Sequence, residues 1–195
     1  MKTLVLDPRV EELLRIVQRR IGQLNVDYAV GGAIAMAMQG YARHTSDVDV
    51  FVLREDCPQV LAALRDGGLE VATLYEDAHY VATLPKHGDV DIRIDVLVPP
   101  GEPDLSAVEY PREMRTDTGV LPIVQANLLA AQKFYANRDK DESDLRAMYR
   151  RGVINAKAVG ELIHSFDPEG SVEWAALIRR FDEPRVPRKL PPRKT

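Results

Sequence analysis

The spacing of apolar residues in the first half of the chain predicts helices and strands in turn. Six apolar residues recur at helical spacing and predict an amphipathic helix over residues 8–24: Val10, Leu13, Leu14, Val17, Ile21 and Leu24. Residues 26–30 are expected to form a short strand that ends at a glycine pair, and the helix formers after that pair predict a short helix that stops at Gly40. Alternating valines predict a strand over 47–53, and a helix is predicted over 57–66.

The second half is predicted to begin with strands and to end in helices. Strands near 69–75, 79–84 and 90–98, with the turn PKHGD before the last of them, are typical of an antiparallel meander. Residues 99–123 are expected to be irregular. Four helices are then predicted, at 124–138, 141–151, 156–166 and 172–181. This order favours an α+β fold in which a mixed sheet comes first and helices form the C-terminal third.

Composition and charge restrict the partners and the location of the chain. The 195 residues carry a net charge of −4, but the last twelve hold five basic and no acidic residues, so the other 183 carry −9. An acidic body argues against broad, non-specific binding of nucleic acid. Charges interrupt every apolar run, no secretion signal is visible, and Cys57 is the single cysteine. We therefore expect a cytoplasmic protein without a membrane partner.

Two aspartates interrupt an apolar strand in a way that needs an explanation. Side chains alternate along a strand, so Asp47 and Asp49 share one face while the valines between and after them share the other. Two carboxylates this close repel each other and are costly to desolvate, and a divalent cation such as Mg²⁺ relieves both problems. Asp95 lies in another apolar strand. If the two strands are neighbours, the three carboxylates could hold two metal ions, an arrangement used for phosphoryl or nucleotidyl transfer.

The glycine pair adds a second feature that fits phosphate chemistry. Gly31 and Gly32 lie between the predicted strand and the short helix, where a backbone without side chains can approach a triphosphate closely. No Gly-Lys-Ser/Thr follows, so the pair is not a Walker motif. Arg43 and Thr45, just before the aspartates, could donate hydrogen bonds to phosphate oxygens.

Together these features resemble the DNA polymerase beta-like nucleotidyltransferase superfamily. The stretch GGAIAMAMQGYARHTSDVDVFV is most similar to the AbiE toxin-type and antibiotic-modifying minimal branches, and LLAAQKFYANRDKDESDL resembles a helical segment of the toxin-type branch. The resemblance covers about residues 28–148. It implies a nucleotidyltransferase core over 1–122 and a helical region over 123–183. The basic tail over 184–195 holds four prolines, so it cannot form a regular helix and is expected to be extended or mobile. The resemblance also implies Mg²⁺-dependent transfer of a nucleoside monophosphate from an NTP such as ATP, with release of pyrophosphate.

The resemblance also implies roles for individual residues. Gly31 and Gly32 match the phosphate-binding glycines, and Asp47, Asp49 and Asp95 match the metal-binding and catalytic carboxylates. Asp95 is then the candidate to take the proton of the acceptor.

Further along the chain, Lys133 matches a helix lysine that reaches the NTP phosphates. Asp141 and Asp144 match the acidic pair that follows it.

Several alternatives remain open at this point. Asp91 rivals Asp95 as the third ligand, and Arg93 could pair with either of them. Lys133 could equally be a surface lysine, and Arg43 could cap the preceding helix. The acceptor could be a tRNA end, a partner protein or a small cationic molecule, in a toxin-antitoxin or a resistance system, and the protein could form a homodimer. A catalytically silent nucleotide-binding regulator is the alternative function.

Overall fold

The computed structural model describes residues 7–85 and 92–183, in which helices and strands are mixed up to residue 123 and helices follow. In this part of the chain the α-helices are α1 (Pro8–Ile16), α2 (Gly32–Met38), α3 (Cys57–Asp66), α4 (Asp104–Glu109), α5 (Ala126–Ala136), α6 (Asp139–Arg150), α7 (Ala156–Phe166) and α8 (Pro168–Asp182). Asp7 caps α1 by accepting a 2.9 Å hydrogen bond from the Arg9 backbone nitrogen. A π-helical turn, Val17–Ile21, continues α1.

The strands of the described residues form one mixed sheet. They are β1 (Tyr28–Val30), β2 (Asp47–Val52), β3 (Glu70–Tyr75), β4 (His79–Thr83), β5 (Arg93–Leu97), β6 (Arg112–Thr116) and β7 (Gly119–Ile123). Their order across the sheet is β3-β4-β5-β2-β1-β7-β6. Strands β3, β4 and β5 pair antiparallel, whereas β2 pairs parallel with β5 and antiparallel with β1. The α+β fold and the antiparallel meander predicted from the sequence are thereby confirmed.

One prediction about local structure is wrong. Residues 99–123 were expected to be irregular, but they contain α4 and the pair of strands β6 and β7. The segment REMRT of β6 has no apolar alternation because β6 is an edge strand with mostly exposed side chains. Its pairing with β7 rests on backbone hydrogen bonds, which leave no hydrophobic signature.

Hydrogen bonds from one polar side chain link helix α5 to helix α2. The Gln39 amide nitrogen donates to the carbonyl oxygens of Ala35 (3.0 Å) and Val124 (2.9 Å), and its amide oxygen accepts from the Ala126 nitrogen (2.9 Å). These bonds connect the end of α2 to the first turn of α5 and satisfy an otherwise unpaired helix N–H group. They place α5 alongside α2.

The C-terminal helices pack on α5 around aromatic side chains. Trp174 is buried, stands edge-on to Phe134 at 5.7 Å, and donates from its indole nitrogen to the Ala156 carbonyl at 2.8 Å. Within the described ranges, every helix is too short or too polar to cross a bilayer. The division of the chain at residue 122 stays a prediction, and the tail (184–195) and Asp91 lie outside the described residues.

Candidate active site

Three carboxylates meet where β2 and β5 run side by side. The parallel pairing sets Asp49 directly opposite Asp95, and Asp47 lies two residues before Asp49 on the same face. One oxygen of each carboxylate lies within 4.8 Å of the others. The structure thus brings together the three aspartates singled out in the sequence, at a spacing that a metal ion could bridge.

The carboxylate of Asp49 is held in an unfavourable electrostatic environment. Burial raises the pKa of Asp49 to about 7, and the neighbouring charges of Asp47 and Asp95 add to this effect. The cations nearby offset only part of the increase. The donor set therefore fits a divalent cation, which prefers carboxylate oxygens and would compensate this charge.

The glycine pair allows the backbone to pass close to these carboxylates. The Gly31 nitrogen donates to the Asp49 carbonyl oxygen at 2.9 Å, so this N–H belongs to the sheet. Gly32 has φ +55°, and a Cβ atom added there would lie 1.7 Å from Asp49 Oδ2. Gly32 is thus required by both its backbone conformation and its contact with Asp49.

Substitution of Gly32 tests this contact. We expect Gly32→Ala to unfold at a lower temperature than the wild type and to lose the stabilisation that Mg²⁺ provides, because the new methyl group displaces the Asp49 carboxylate. Thermal unfolding with and without Mg²⁺ measures both effects. Gly152→Ala is the matched control, since Gly152 also has positive φ (+65°) but a Cβ atom there meets nothing within 4 Å. If both variants lose the same roughly 1 kcal/mol and both still respond to Mg²⁺, the contact has no role.

Asp95 and Asp47 each have hydrogen-bond partners that orient them. Arg93 Nε contacts both oxygens of Asp95, at 3.0 and 3.1 Å, and His79 Nε2 lies 2.8 Å from Asp95 Oδ1. The ion pair between Arg93 and Asp95 confirms one of the sequence alternatives. A carboxylate offers about four lone-pair sites, so Oδ2 retains one for another ligand. The Thr45 hydroxyl donates to Asp47 Oδ1.

A buried group of charges forms the other wall of the site. Lys133 Nζ lies 2.9 Å from Asp141 Oδ1 and 2.8 Å from Asp144 Oδ2, and all three side chains are buried. Arg43 Nε contacts Asp144 at 3.2 Å, and Arg138 Nε contacts Asp141 at 2.5 Å. Lys133 is therefore not the surface residue that remained an alternative, and Arg43 binds a carboxylate in place of the helix carbonyls expected for a cap.

The carboxylates of this group are well compensated. Burial alone would raise the pKa of Asp141, but hydrogen bonds from Arg138 and Lys133 outweigh it and hold the pKa below its usual value. Two carboxylates thus hold three cations in place: Lys133, Arg43 and Arg138.

A cleft of about 500 Å³ separates the two walls. Asp47, Asp49 and Asp95 line one side, and the cations of the buried group line the other together with the exposed Lys140. His79 also lines the cleft but was not predicted, because a histidine in an exposed-looking strand gives no local signal. The nucleotide-binding assignment of Gly31, Gly32, Arg43, Thr45 and Lys133 stays a prediction, as does the catalytic assignment of the aspartates.

The sequence and the fold match known nucleotidyltransferases. Residues 12–117 match the model of the family described as aminoglycoside-2″-adenylyltransferase. No curated protein matches the sequence. Among the solved structures that share the fold at low sequence identity are three that are nucleotidyltransferases or are described as nucleotidyltransferase-like.

The first of these structures is ANT(2″)-Ia in complex with adenylyl-2″-tobramycin, at 14% identity and a TM-score of 0.56, covering 90% of this chain and 99% of that chain. The second is an antigenic nucleotidyltransferase-like protein from Paracoccidioides brasiliensis, at 14% identity and a TM-score of 0.59, covering 90% and 89%. The third is the nucleotidyltransferase toxin MenT4 from Mycobacterium tuberculosis, at 16% identity and a TM-score of 0.50, covering 83% and 66%. Because the family model spans more than half of the chain, the protein belongs to the aminoglycoside-2″-adenylyltransferase family and is an NTP-dependent nucleotidyltransferase of the polymerase beta-like superfamily.

Proposed function

We propose that the protein transfers a nucleoside monophosphate from Mg²⁺-bound ATP to a hydroxyl group of a small, amine-bearing acceptor. The observation that carries this proposal is the meeting of Asp47, Asp49 and Asp95 within 4.8 Å, beside a cleft with cations on its other wall. These three residues would hold two Mg²⁺ ions. When bound, such ions neutralise charge on the triphosphate and lower the pKa of the acceptor hydroxyl.

The residues of the cleft divide the remaining tasks. Lys133 and Arg43, held by Asp144, bind the phosphates of the nucleotide, and Gly32 allows the backbone to approach them. Thr45 orients Asp47, since its hydroxyl already donates to that carboxylate, and a contact from Thr45 to phosphate requires this bond to break. Asp95, oriented by Arg93 and His79, takes the proton of the acceptor hydroxyl as the hydroxyl oxygen attacks the α-phosphorus and the bond to the departing pyrophosphate breaks.

A small cationic acceptor is favoured over the other candidates. The family is named for the adenylylation of aminoglycosides, which carry several amines, and ANT(2″)-Ia has been seen with an adenylylated aminoglycoside. The net charge of −9 outside the tail attracts such molecules and disfavours a large RNA. A tRNA end or a partner protein is the second candidate, in keeping with the toxin-type branch that the sequence resembles. A cytoplasmic location and a homodimer stay predictions.

Transfer of label from nucleotide to acceptor tests the proposal. The protein is incubated with Mg²⁺ and each α-³²P-labelled NTP, in turn with aminoglycosides, total tRNA and cell lysate, and with Asp47→Ala/Asp49→Ala as the control. We expect ATP to label an aminoglycoside. This labelling should be lost in the double variant and in the absence of Mg²⁺. Label on tRNA or on a protein would overturn the proposed acceptor. Equal NTP binding by both proteins with no transfer to any acceptor would favour the silent regulator.

A further inference from the structure

The cleft continues beyond the metal-binding carboxylates into a part with a different character. Leu97, Pro99 and Pro100, which follow Asp95 along the chain, line this part together with Leu129 of α5. Two polar side chains are set among them, Asp104 at the start of α4 and Gln132 on α5. An apolar compartment with a few polar groups is typical of a site that packs against an aromatic ring and forms hydrogen bonds to the polar atoms at the edge of that ring.

The two polar side chains lack some of the hydrogen bonds that buried polar groups normally make. The Gln132 amide nitrogen is buried, and no hydrogen-bond partner meets it among the residues that the structure describes. An unsatisfied buried donor is unfavourable, because the hydrogen bonds that it makes to water in the unfolded chain are not replaced. Burial also raises the pKa of Asp104, and the Gln132 amide, which lies toward this carboxylate without completing a hydrogen bond of normal geometry, offsets only part of the increase. Both groups would therefore gain from a ligand that supplies a donor to the carboxylate and an acceptor to the amide.

We propose that Asp104 and Gln132 read the adenine base of the bound nucleotide, an inference that rests on the proposed function and specifies its donor. The exocyclic amine of adenine donates to the Asp104 carboxylate, and the Gln132 amide donates to the neighbouring ring nitrogen. For its amide to reach the ring, the Gln132 side chain must rotate from its buried position into the cleft. The apolar residues pack against the faces of the ring. Asp104 and Gln132 are thus specificity-determining residues that bind the base and do not act on the reacting phosphate.

The position of the two residues favours the base over the acceptor. Gln132 is the direct neighbour of Lys133 on α5, and Leu129 lies one helical turn before Lys133 on the same face. The wall that carries Lys133 therefore also contributes Leu129 and Gln132 to this compartment, whereas Leu97 belongs to β5 and pairs with His79 of β4. α4 packs against α5, β1 and β2, whereas Asp95 and its partner His79 lie toward β4, on the other side of β2. A nucleotide along α5 leaves the β4 side open to the acceptor.

The test pairs the removal of one group from the protein with the removal of its partner from the nucleotide. Dissociation constants are measured in Mg²⁺ for ATP, for purine riboside triphosphate, which lacks the 6-amino group, and for inorganic tripolyphosphate. We expect the wild type to bind ATP about 10- to 100-fold more tightly than purine riboside triphosphate, the range for a hydrogen bond to a charged group. In Asp104→Ala this ratio falls to about 1, while the affinity for tripolyphosphate is unchanged.

A second variant separates base recognition from structural support. Gln132→Leu removes the unsatisfied amide, so we expect a higher melting temperature together with weaker ATP binding and unchanged tripolyphosphate binding. Asp139→Ala is the control for Asp104→Ala, because Asp139 is also the first residue of a helix but does not line the cleft. It should leave the ratio between the two nucleotides at the wild-type value.

The possible failures are distinguishable. A ratio between ATP and purine riboside triphosphate that stays the same in Asp104→Ala overturns the base site, while transfer from ATP still supports the proposed function. If the Asp104 and Gln132 variants weaken only the binding of the acceptor, the assignment to the base is overturned and the acceptor occupies this compartment. If the wild type binds none of the three phosphate compounds in Mg²⁺, both proposals fail together.

Discussion

Asp49→Asn is expected to lower nucleotide transfer by roughly 10²–10³-fold and, in the absence of metal, to make the protein more stable above pH 7. The loss of activity follows from the loss of a charged metal ligand between Asp47 and Asp95. The gain in stability follows because a carboxylate of similar shape but without charge relieves the repulsion and the desolvation that raise the pKa of Asp49 to about 7. A single substitution thus separates the energetics of folding from those of catalysis.

The ionisation of Asp49 determines in which direction the stability changes with pH. The pKa of Asp49 lies near 7 in the folded protein and near 3.8 in the unfolded chain, so the folded state binds the proton more tightly. Its contribution to stability is fully present below about pH 4 and is lost as the pH rises through 7. Relative to Asp49→Asn, the metal-free wild type should lose on the order of 4 kcal/mol over this range.

Urea unfolding at several pH values, in EDTA and in Mg²⁺, measures both parts of the prediction. Mg²⁺ should restore much of the stability of the wild type at pH 8 and have little effect on Asp49→Asn. Asp66→Asn is the control for removal of one carboxylate, because Asp66 is exposed at the end of α3. A wild type that is as stable as Asp49→Asn at pH 8 without metal would show that the three carboxylates do not repel each other as described.

Lys133→Met is expected to lower the free energy of unfolding by about 3–5 kcal/mol, the range for breaking a buried ion pair. The substitution leaves two buried carboxylates without their shared lysine: Asp141 keeps Arg138, and Asp144 keeps Arg43 and the Tyr41 hydroxyl. It also removes a cation from the cleft, so we expect weaker binding of ATP and of tripolyphosphate in Mg²⁺. Chemical denaturation and nucleotide titration of the same preparations measure the two effects.

A second substitution distinguishes the two roles of the lysine. Lys133→Met/Asp144→Asn removes one of the unpaired carboxylates and should recover part of the stability without recovering nucleotide binding. Lys140→Met is the matched control, since Lys140 lines the same cleft but is exposed, and its replacement should change stability by less than about 0.5 kcal/mol. A loss of less than 1 kcal/mol in Lys133→Met would contradict the structural role of the ion pairs.

The local features of the site could be predicted from the sequence alone. The two-residue period of a strand sets Asp47 and Asp49 on one face wherever that strand lies. The glycine pair before a short helix was equally visible, and the helices predicted at 57–66 and 156–166 coincide with α3 and α7. Each of these features is specified by a repeat or a residue type within a few positions of the chain. The sequence therefore shows it without knowledge of the tertiary structure.

Other features depended on contacts between distant parts of the chain. Asp95 faces Asp49 only because β5 pairs with β2 in one register, and no local pattern specifies which strands become neighbours. Strand β6 was not predicted because backbone hydrogen bonds pair it with β7 at an exposed edge of the sheet, and such bonds leave no hydrophobic pattern in the sequence.

Lys133 shows the same dependence on the tertiary structure. In the sequence it is one lysine on an apolar helix, and its burial between Asp141 and Asp144 follows from the packing of α6 against α5. The sequence by itself therefore determined which residue types the site contains and which of them share a face. The tertiary structure alone decided which charges meet, since a charge pair forms between side chains that only packing brings within a few ångströms of each other.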